Sequence, residues 1–351
     1  MLGAVLADRQ AATLRSVAIA ALVVLLLRPE SLVNPGFQMS FAAVAALAWV
    51  FGTPWVSALP RRLGWAAPVA VLLLSSLVAG AATAAYAGAH FNRYAAFGLF
   101  ANLLAVPAMG LLVMPGAVLL ALGAPLGLVQ PGLLMVDLGC RWILLVSERV
   151  AGIDGAAGAV ATPPAMVLPL LTAGGCLLLL WQGRGRWLGL PLLLAALWAW
   201  AGAERPPLLV AESGGVIGLL GPEGRAISRP TGDGFAVSAW LGNDGDLATQ
   251  EAAAARPGLR TVGRVTEAML GGAGVVLVRG ERALAALEGC GGAALLVTDA
   301  EAEGPRPCLV LDATALRATG AVAVWPDGPG LRLVAARDAA GRRPWTRAPG
   351  P

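Results

Sequence analysis

The sequence has little charge, no lysine and a single histidine. Charged residues make up 13% of its 351 residues, whereas soluble domains carry roughly 25%. This scarcity excludes an ordinary soluble protein over much of the chain. The lone histidine, His90, excludes any site that needs several histidine ligands, so we expect no hydrolysis at a histidine-bound metal centre.

The charge is missing mainly from the first part of the chain. Residues 1–203 hold ten arginines and five acidic residues, and residues 204–351 hold fifteen arginines and sixteen acidic residues. The net charge of +4 is therefore +5 before residue 204 and −1 after it. This distribution is not that of a basic nucleic-acid-binding domain. It predicts a membrane domain over residues 1–203 and a near-neutral soluble domain behind it.

Seven apolar stretches approach the length of about 20 residues that a membrane span needs. The fifth carries Asp137, Arg141 and Glu148, so it either spans the membrane or lies in the interface. The sequence predicts a polytopic α-helical membrane protein with about seven spans. The stretches cover residues 14–28, 36–56, 67–87, 95–122, 127–149, 164–182 and 187–203.

The arginines between the stretches predict the orientation. Arg61 and Arg62 separate the second and third stretches, and Arg184 and Arg186 separate the sixth and seventh. Because four crossings lie between these loops, both can face the cytoplasm, as the positive-inside rule prefers. If the fifth stretch did not span, the loops would fall on opposite sides, which favours seven spans. All 25 basic residues are arginine, and alanine and glycine are abundant, which we interpret as the codon bias of a GC-rich bacterial genome. We therefore expect a multi-pass protein of the bacterial inner membrane whose C-terminal domain is periplasmic.

Two prolines, Pro107 and Pro115, lie eight residues apart in the fourth stretch. We expect them to break the helix or to form a re-entrant pair. A broken backbone at membrane depth is stable only where it is buried in protein or faces water.

The composition changes at Glu204. Short β-forming runs then alternate with turn residues, which predicts a small β-rich (α+β) domain over residues 204–341. A helix is expected near residues 281–288, and residues 342–351 are expected to be disordered. The runs are residues 208–212, 216–220, 234–240, 275–279, 294–298 and 308–312.

Two of the four cysteines, Cys290 and Cys308, lie in this domain, and each flanks a predicted strand. Disulfides form and persist in the periplasm. We expect the two cysteines to be joined by a disulfide, which would close a loop of 18 residues. The alternative is two unpaired thiols buried as small apolar side chains.

Two ordered motifs in the membrane domain resemble the ComEC competence family. The first is Pro-Gly-Phe-Gln-Met-Ser-Phe at residues 35–41. The second is His-Phe-Asn-Arg-Tyr at residues 90–94, followed by Asn-Leu-Leu-Ala-Val-Pro at 102–107 and Met-Pro-Gly at 114–116. The resemblance covers roughly residues 1–203, about the later half of the family's membrane domain. In that family an anchor, a periplasmic OB-like domain and further spans usually precede this region.

The resemblance implies a channel component that passes single-stranded DNA across the inner membrane during natural transformation. Its implied partners are single-stranded DNA, the lipid bilayer, other competence-machinery proteins and, as a homo-oligomer, further copies of itself. The alternative is a small-solute transporter, or a structural membrane protein with no transport role of its own. We expect neither enzymatic activity nor a cofactor.

Five polar residues in these motifs are candidates for the DNA path, each with a plainer alternative. Gln38 and Ser40 either sit at a helix start near the interface or face a polar cavity. Asn102 is either a contact between helices or part of the wall of the path. His90 and Arg93 are either solvated loop residues or lie at the channel mouth, where Arg93 would suit a phosphate.

Many members of the family end in a metallo-β-lactamase-like domain, proposed to degrade the strand that is not transported. That chemistry needs a cluster of histidine and aspartate ligands. Residues 204–351 contain no histidine. We therefore expect a degenerate version of that domain, or an unrelated one, with no metal site.

Overall fold

The computed structural model describes residues 13–328 and 330–341. It consists of two compact units whose boundary lies between Gly202 and Ala203. The first is helical and the second is β-rich; we call them the helical unit and the β-rich unit. Residues 342–351, for which disorder was expected, lie outside the described residues.

The helical unit consists of long apolar helices joined by short connections. Two segments are long and apolar enough to cross a bilayer, the 33 residues Leu59–Phe91 and the 29 residues Gly98–Leu126. Three apolar helices are shorter than a typical span: Leu14–Leu27, Pro35–Phe51 and Val167–Leu180. In chain order the helices are α1 (Leu14–Leu27), α2 (Pro35–Phe51), α3 (Pro54–Ser57), α4 (Leu59–Leu63), α5 (Ala67–Phe91), α6 (Gly98–Ala108), α7 (Met114–Gly123), α8 (Gln130–Ala151), α9 (Val167–Leu180) and α10 (Gly189–Ala201).

A two-stranded antiparallel ribbon fixes the course of the chain between α5 and α9. Strand β1 (Arg93–Ala95) follows α5, and strand β2 (Ala157–Ala159) follows α8. The strands pair with Arg93 opposite Ala159. Because the chain leaves β1 through α6 and returns to β2 from α8, α8 must run back along α6 and α7.

Contacts along α8 agree with this course. A Cβ added to Gly132 would lie 2.7 Å from the carbonyl oxygen of Gly116 in α7, and one added to Gly139 would lie 2.5 Å from the Val113 side chain. Farther along, the indole Nε1 of Trp142 donates to the Leu104 carbonyl of α6 at 2.9 Å. Small residues let membrane helices approach this closely, so α8 packs antiparallel to α6 and α7 over several turns.

The two prolines of this region do not break the helix, contrary to the sequence-based expectation. The stretch Gly98–Leu126 is helical throughout, and a π-helical turn, Met109–Val113, lies between Pro107 and Pro115. Because proline lacks an N–H group, each proline removes one helical hydrogen bond. The wider π-turn, closed by the Met114 N–H bonding the Met109 carbonyl, keeps the helix continuous. The stretch is therefore not a re-entrant pair.

The β-rich unit contains two five-stranded sheets. The strands are β3 (Leu208–Val210), β4 (Ile217–Gly221), β5 (Gly224–Ile227), β6 (Leu259–Val262), β7 (Val265–Leu270), β8 (Ala273–Val278), β9 (Leu295–Thr298), β10 (Leu309–Leu311), β11 (Val322–Asp327) and β12 (Gly330–Ala335). One sheet is antiparallel, in the order β12-β11-β3-β4-β5, and the other is mixed, in the order β10-β9-β8-β7-β6. The helices are α11 (Gly234–Asn243), α12 (Gln250–Ala254), α13 (Glu281–Ala286), α14 (Ala313–Thr319) and α15 (Ala336–Ala340).

The sheets pack face to face, with helices on the outer faces. One apolar cluster joins the inner faces, with Leu208 and Ile217 from one sheet and Leu277 and Leu295 from the other. On the outside, α11 and α12 cover the antiparallel sheet, and α13 covers the mixed sheet. Because alternate residues of a strand face opposite sides of its sheet, each sheet supplies apolar side chains both to the inner cluster and to the helices outside it.

One predicted strand is a helix. Residues 234–240 were expected to be extended, yet Gly234–Asn243 forms α11. Its buried side chains, Val237, Trp240 and Leu241, follow the helical spacing of three and four residues. The expected helix near residues 281–288 corresponds to α13.

Two arginine–aspartate pairs lie at one edge of the antiparallel sheet. Arg225 is fully buried and donates to both carboxylate oxygens of Asp244, at 2.6 and 3.0 Å. Arg256 bonds Asp246 at 2.5 Å. Burial opposes the ionisation of Asp246, but the hydrogen bond and charge of Arg256 outweigh it and hold the pKa of Asp246 below its usual value. The bond to Asp246 likewise raises the pKa of Arg256.

Cys290 and Cys308 are joined by a disulfide, with their Cα atoms 6.3 Å apart. The bond ties the loop before β9 to the residue before β10. These two strands pair in parallel, so the disulfide lies at the start of adjacent strands. Cys140 and Cys176, in the helical unit, are free.

Candidate functional site

The structure brings two of the candidate residues into direct contact. His90 Nε2 lies 2.8 Å from Gln38 Oε1, although the residues are 52 positions apart. Gln38 belongs to the first turn of α2, and His90 to the last turn of α5. The first and second family-like motifs therefore meet at one end of the helical unit, which we call the Gln38 end.

The hydrogen bonds of Gln38 determine which imidazole nitrogen carries a proton. The Gln38 amide nitrogen donates to the Leu32 carbonyl at 2.8 Å. Because a carbonyl oxygen only accepts, the amide oxygen of Gln38 faces His90, and His90 Nε2 must donate. A short polar chain thus runs from the imidazole through the amide to the backbone of the segment before α2.

Asn92 is a site residue that the sequence analysis did not single out. It ends α5 in the left-handed conformation, with a φ of 55°. Its side chain donates to the Val160 carbonyl at 3.2 Å and to the Thr162 hydroxyl at 2.8 Å. Asparagine is one of the few residues besides glycine that adopt this conformation at a helix end. The sequence signal that could have identified Asn92 is therefore an asparagine placed directly after a long helical stretch.

Arg93 and Tyr94 are the first two residues of strand β1 and directly follow Asn92. The side chain of Arg93 is exposed. Tyr94 packs over Gly158 so closely that a Cβ on that glycine would overlap the phenol ring. Nearby, the indole of Trp200, at the end of α10, donates to the Ala161 carbonyl at 2.8 Å. The ribbon is thus attached to α5 and α10, and it holds Arg93 at the Gln38 end.

Ser40 and Asn102 are not part of this contact network. Both side chains are exposed. Residues two positions apart on a helix differ by about 200° around its axis, so Ser40 points away from the face of α2 that carries Gln38. Asn102 lies in the second turn of α6, on the element that follows the ribbon. The five candidates therefore do not form a single cluster.

No group of three or more His, Cys, Asp or Glu side chains that could hold a metal ion is found within residues 13–328 and 330–341. The charged residues with shifted pKa values, Asp246 and Arg256, lie in the β-rich unit and satisfy each other there. Together they form one structural ion pair in that unit.

A sequence model described as Competence protein matches residues 1–185. The chain belongs to the Competence protein family. The match spans more than half of the chain and includes both motifs, the ribbon and the contact between Gln38 and His90. No curated protein and no solved structure matches the chain.

Membership of the Competence protein family gives the chain a role in DNA uptake during competence and associates it with the membrane. The matched region ends in the connection between α9 and α10. The helix α10 and the β-rich unit follow it. The functional assignment therefore comes from the helical unit.

Proposed function

We propose that the helical unit crosses the inner membrane seven times and carries single-stranded DNA across it. The seven crossings are α1, α2, α5, the continuous stretch from α6 to α7, α8, α9 and α10. The antiparallel packing of α8 against α6 and α7 supports its assignment as a crossing. In its membrane-embedded part, α8 neutralises one acid with an ion pair, Asp137–Arg141 at 2.8 Å, which lowers the cost of these charges in lipid.

The distribution of arginines supports the orientation. Arg186 stacks over Trp49 near the end of α2, 5.1 Å from the ring centroid, so it lies at the opposite end of the unit from Gln38. Arg61 and Arg62 follow α2 at that same end. Since the cytoplasmic loops of membrane proteins are rich in arginine and lysine, we place this end in the cytoplasm. The Gln38 end and the β-rich unit then face the periplasm.

A reporter fusion tests this orientation. Alkaline phosphatase fused after Glu204 is expected to be active, because it folds only in the periplasm, where its disulfides form. Fused after Gly64, between α2 and α5, it is expected to be inactive. The opposite pattern, or equal activity at both points, would contradict the orientation.

The single observation that carries the proposed DNA path is the contact between Gln38 and His90. It joins two separate family-like motifs at the end proposed to receive DNA, and places the exposed Arg93 beside them. An arginine at a channel mouth attracts phosphates. Asn102 lies on the first crossing after the ribbon, where a polar side chain at membrane depth supports a wetted path.

Transformation frequency tests this path. Gln38→Leu is expected to lower it on the order of ten-fold, because the partly buried His90 loses its acceptor, at a cost of about 1–3 kcal/mol. Asn102→Leu is expected to lower it without lowering the protein level.

A matched control is Thr83→Val, since the Thr83 hydroxyl bonds only its own helix. DNA in the periplasm is scored separately from DNA in the cytosol, and only the latter should fall. Unchanged transformation frequencies would show that Gln38 and Asn102 only make ordinary contacts between helices and are not part of a DNA path.

We further propose that the chain moves DNA without cutting it. Its one histidine belongs to the helical unit, and the β-rich unit has none to contribute to a hydrolytic metal centre. We propose that the β-rich unit has a binding or structural role in the periplasm.

A further inference from the structure

The side chain of Arg186 is held in place, but one of its hydrogen-bond donors has no acceptor among the described residues. It lies in the tight connection Arg184–Leu188 between α9 and α10. One guanidinium nitrogen donates to the Leu178 carbonyl at 2.7 Å, an acceptor left free at the end of α9. The guanidinium stacks on Trp49 at 5.1 Å and Trp187 at 5.8 Å. Its Nε is buried and has no acceptor within the described part of the chain.

The end of the helical unit that carries Arg186, opposite the Gln38 end, has arginines but no acidic side chains to neutralise them among the described residues. Five described arginines lie there, and the structure pairs none of them with a carboxylate. The acidic residues of the described helical unit lie elsewhere: Glu30, Glu148 and Asp154 at the Gln38 end, and Asp137 within α8. The one ion pair among residues 13–202 is Asp137–Arg141. The arginines are Arg15, Arg61, Arg62, Arg184 and Arg186.

Large aromatic side chains surround these charges. Trp65, Trp181 and Trp187 are 92%, 59% and 60% exposed. Trp181 packs on Gly185, where an added Cβ would lie 2.8 Å from its indole nitrogen, so the connection presents tryptophan and arginine from one compact turn. Exposed tryptophan is costly in water, and it is enriched where lipid headgroups meet acyl chains.

We propose that this end of the protein, centred on Arg184 and Arg186, binds the headgroup phosphate of an anionic phospholipid. Arginine matches the geometry of a phosphate, and stacking on tryptophan pre-organises the guanidinium of Arg186. The exposed tryptophans beside the arginines favour a lipid, because indole rings are enriched where headgroups meet acyl chains. Since the bases of a single DNA strand also stack on tryptophan, a nucleic acid is the alternative ligand that the competition experiment below distinguishes. Basic clusters next to membrane helices recognise anionic lipids in this way. The inference does not depend on DNA transport.

The test measures lipid binding to the full-length protein in detergent, by native mass spectrometry and by the shift in unfolding temperature. Phosphatidylglycerol is expected to bind and stabilise, and phosphatidylcholine to do neither. Each arginine near a membrane surface contributes about a five-fold change in affinity, so Arg184→Gln should weaken phosphatidylglycerol binding about five-fold. The pair Arg184→Gln and Arg186→Gln should weaken it roughly 25-fold. Arg184 is exposed and has no described contact, so a folding defect would not explain its effect.

The control is Arg28→Gln, an exposed arginine at the Gln38 end, which should leave binding unchanged. Equal affinity for the two lipids would overturn the proposal, as would a loss with Arg28→Gln equal to that with Arg184→Gln. Competition identifies the source of the phosphate. Complete displacement of phosphatidylglycerol by inorganic phosphate, or by a single-stranded oligonucleotide, would assign the site to that ligand and refute a lipid site. Because no step involves transformation, the outcome is independent of the proposed DNA path.

Discussion

Replacing Asp244 by alanine is expected to lower the free energy of unfolding of the β-rich unit by about 3–5 kcal/mol. Arg225 is fully buried and gives Asp244 two hydrogen bonds, while its other donors reach the Gly218 and Pro206 carbonyls. Without the carboxylate, a full positive charge stays buried and uncompensated. Pulse proteolysis of the full-length protein in urea, following the fragment that contains the β-rich unit, measures the change.

Two variants separate the charge effect from a general packing defect. Arg225→Met combined with Asp244→Leu removes both charges and should be much less destabilising than Asp244→Ala alone, because apolar side chains can replace a buried ion pair. Asp246→Asn should cost less than Asp244→Ala, since asparagine still accepts a hydrogen bond from Arg256 and the side chains of this pair keep 16% and 18% of their surface exposed to solvent. A double variant as unstable as Asp244→Ala would show that Arg225 and Asp244 are not coupled as described.

Removing the disulfide is expected to destabilise the β-rich unit by about 3 kcal/mol, the loop-closure entropy of a loop of this size. Cys290→Ala with Cys308→Ala, compared with the parent protein in the same urea series, gives the value. Cys140→Ala with Cys176→Ala is the matched control, because these cysteines are free, and it should leave the β-rich unit unaffected.

Thiol counting checks the same bond and the compartment. Denatured without reductant, protein isolated from cells should expose two reactive thiols, those of Cys140 and Cys176. Reductant should raise the count to four. Four thiols before reduction would argue against both the bond in the cell and the periplasmic location, because disulfides are rare in the reducing cytosol.

Much of the architecture could be read from local patterns. The shortage of charge before residue 204 and the apolar stretches predict a helical unit, and the change at Glu204 predicts a β-rich unit close to the observed boundary. These signals are local, because a helix or strand needs only its own residues to show its period. The error at residues 234–240 has the same origin, because a short apolar run does not distinguish a strand from a helix. Only the burial of Val237, Trp240 and Leu241 on one face shows the helical spacing.

The candidate site was predicted residue by residue but not as an arrangement. Sequence motifs named Gln38 and His90 separately, and only the packing of α2 against α5 brings them within hydrogen-bonding distance. Ser40 shares a motif with Gln38, yet the helical rotation of about 200° places it on another side. Asn92 gains its role from a left-handed helix end and from hydrogen bonds to the segment after β2, more than 60 residues away.

The sequence by itself determined the division into helical and β-rich units, the concentration of arginine in two loops and the presence of a lone cysteine pair after residue 203. Each of these follows from composition and spacing along the chain. Only the tertiary structure decided that α8 runs along α6 and α7, that Arg186 stacks on Trp49, and that Arg225 is buried against Asp244. The physical reason is that packing, buried charge and close helix contacts depend on residues far apart in the chain.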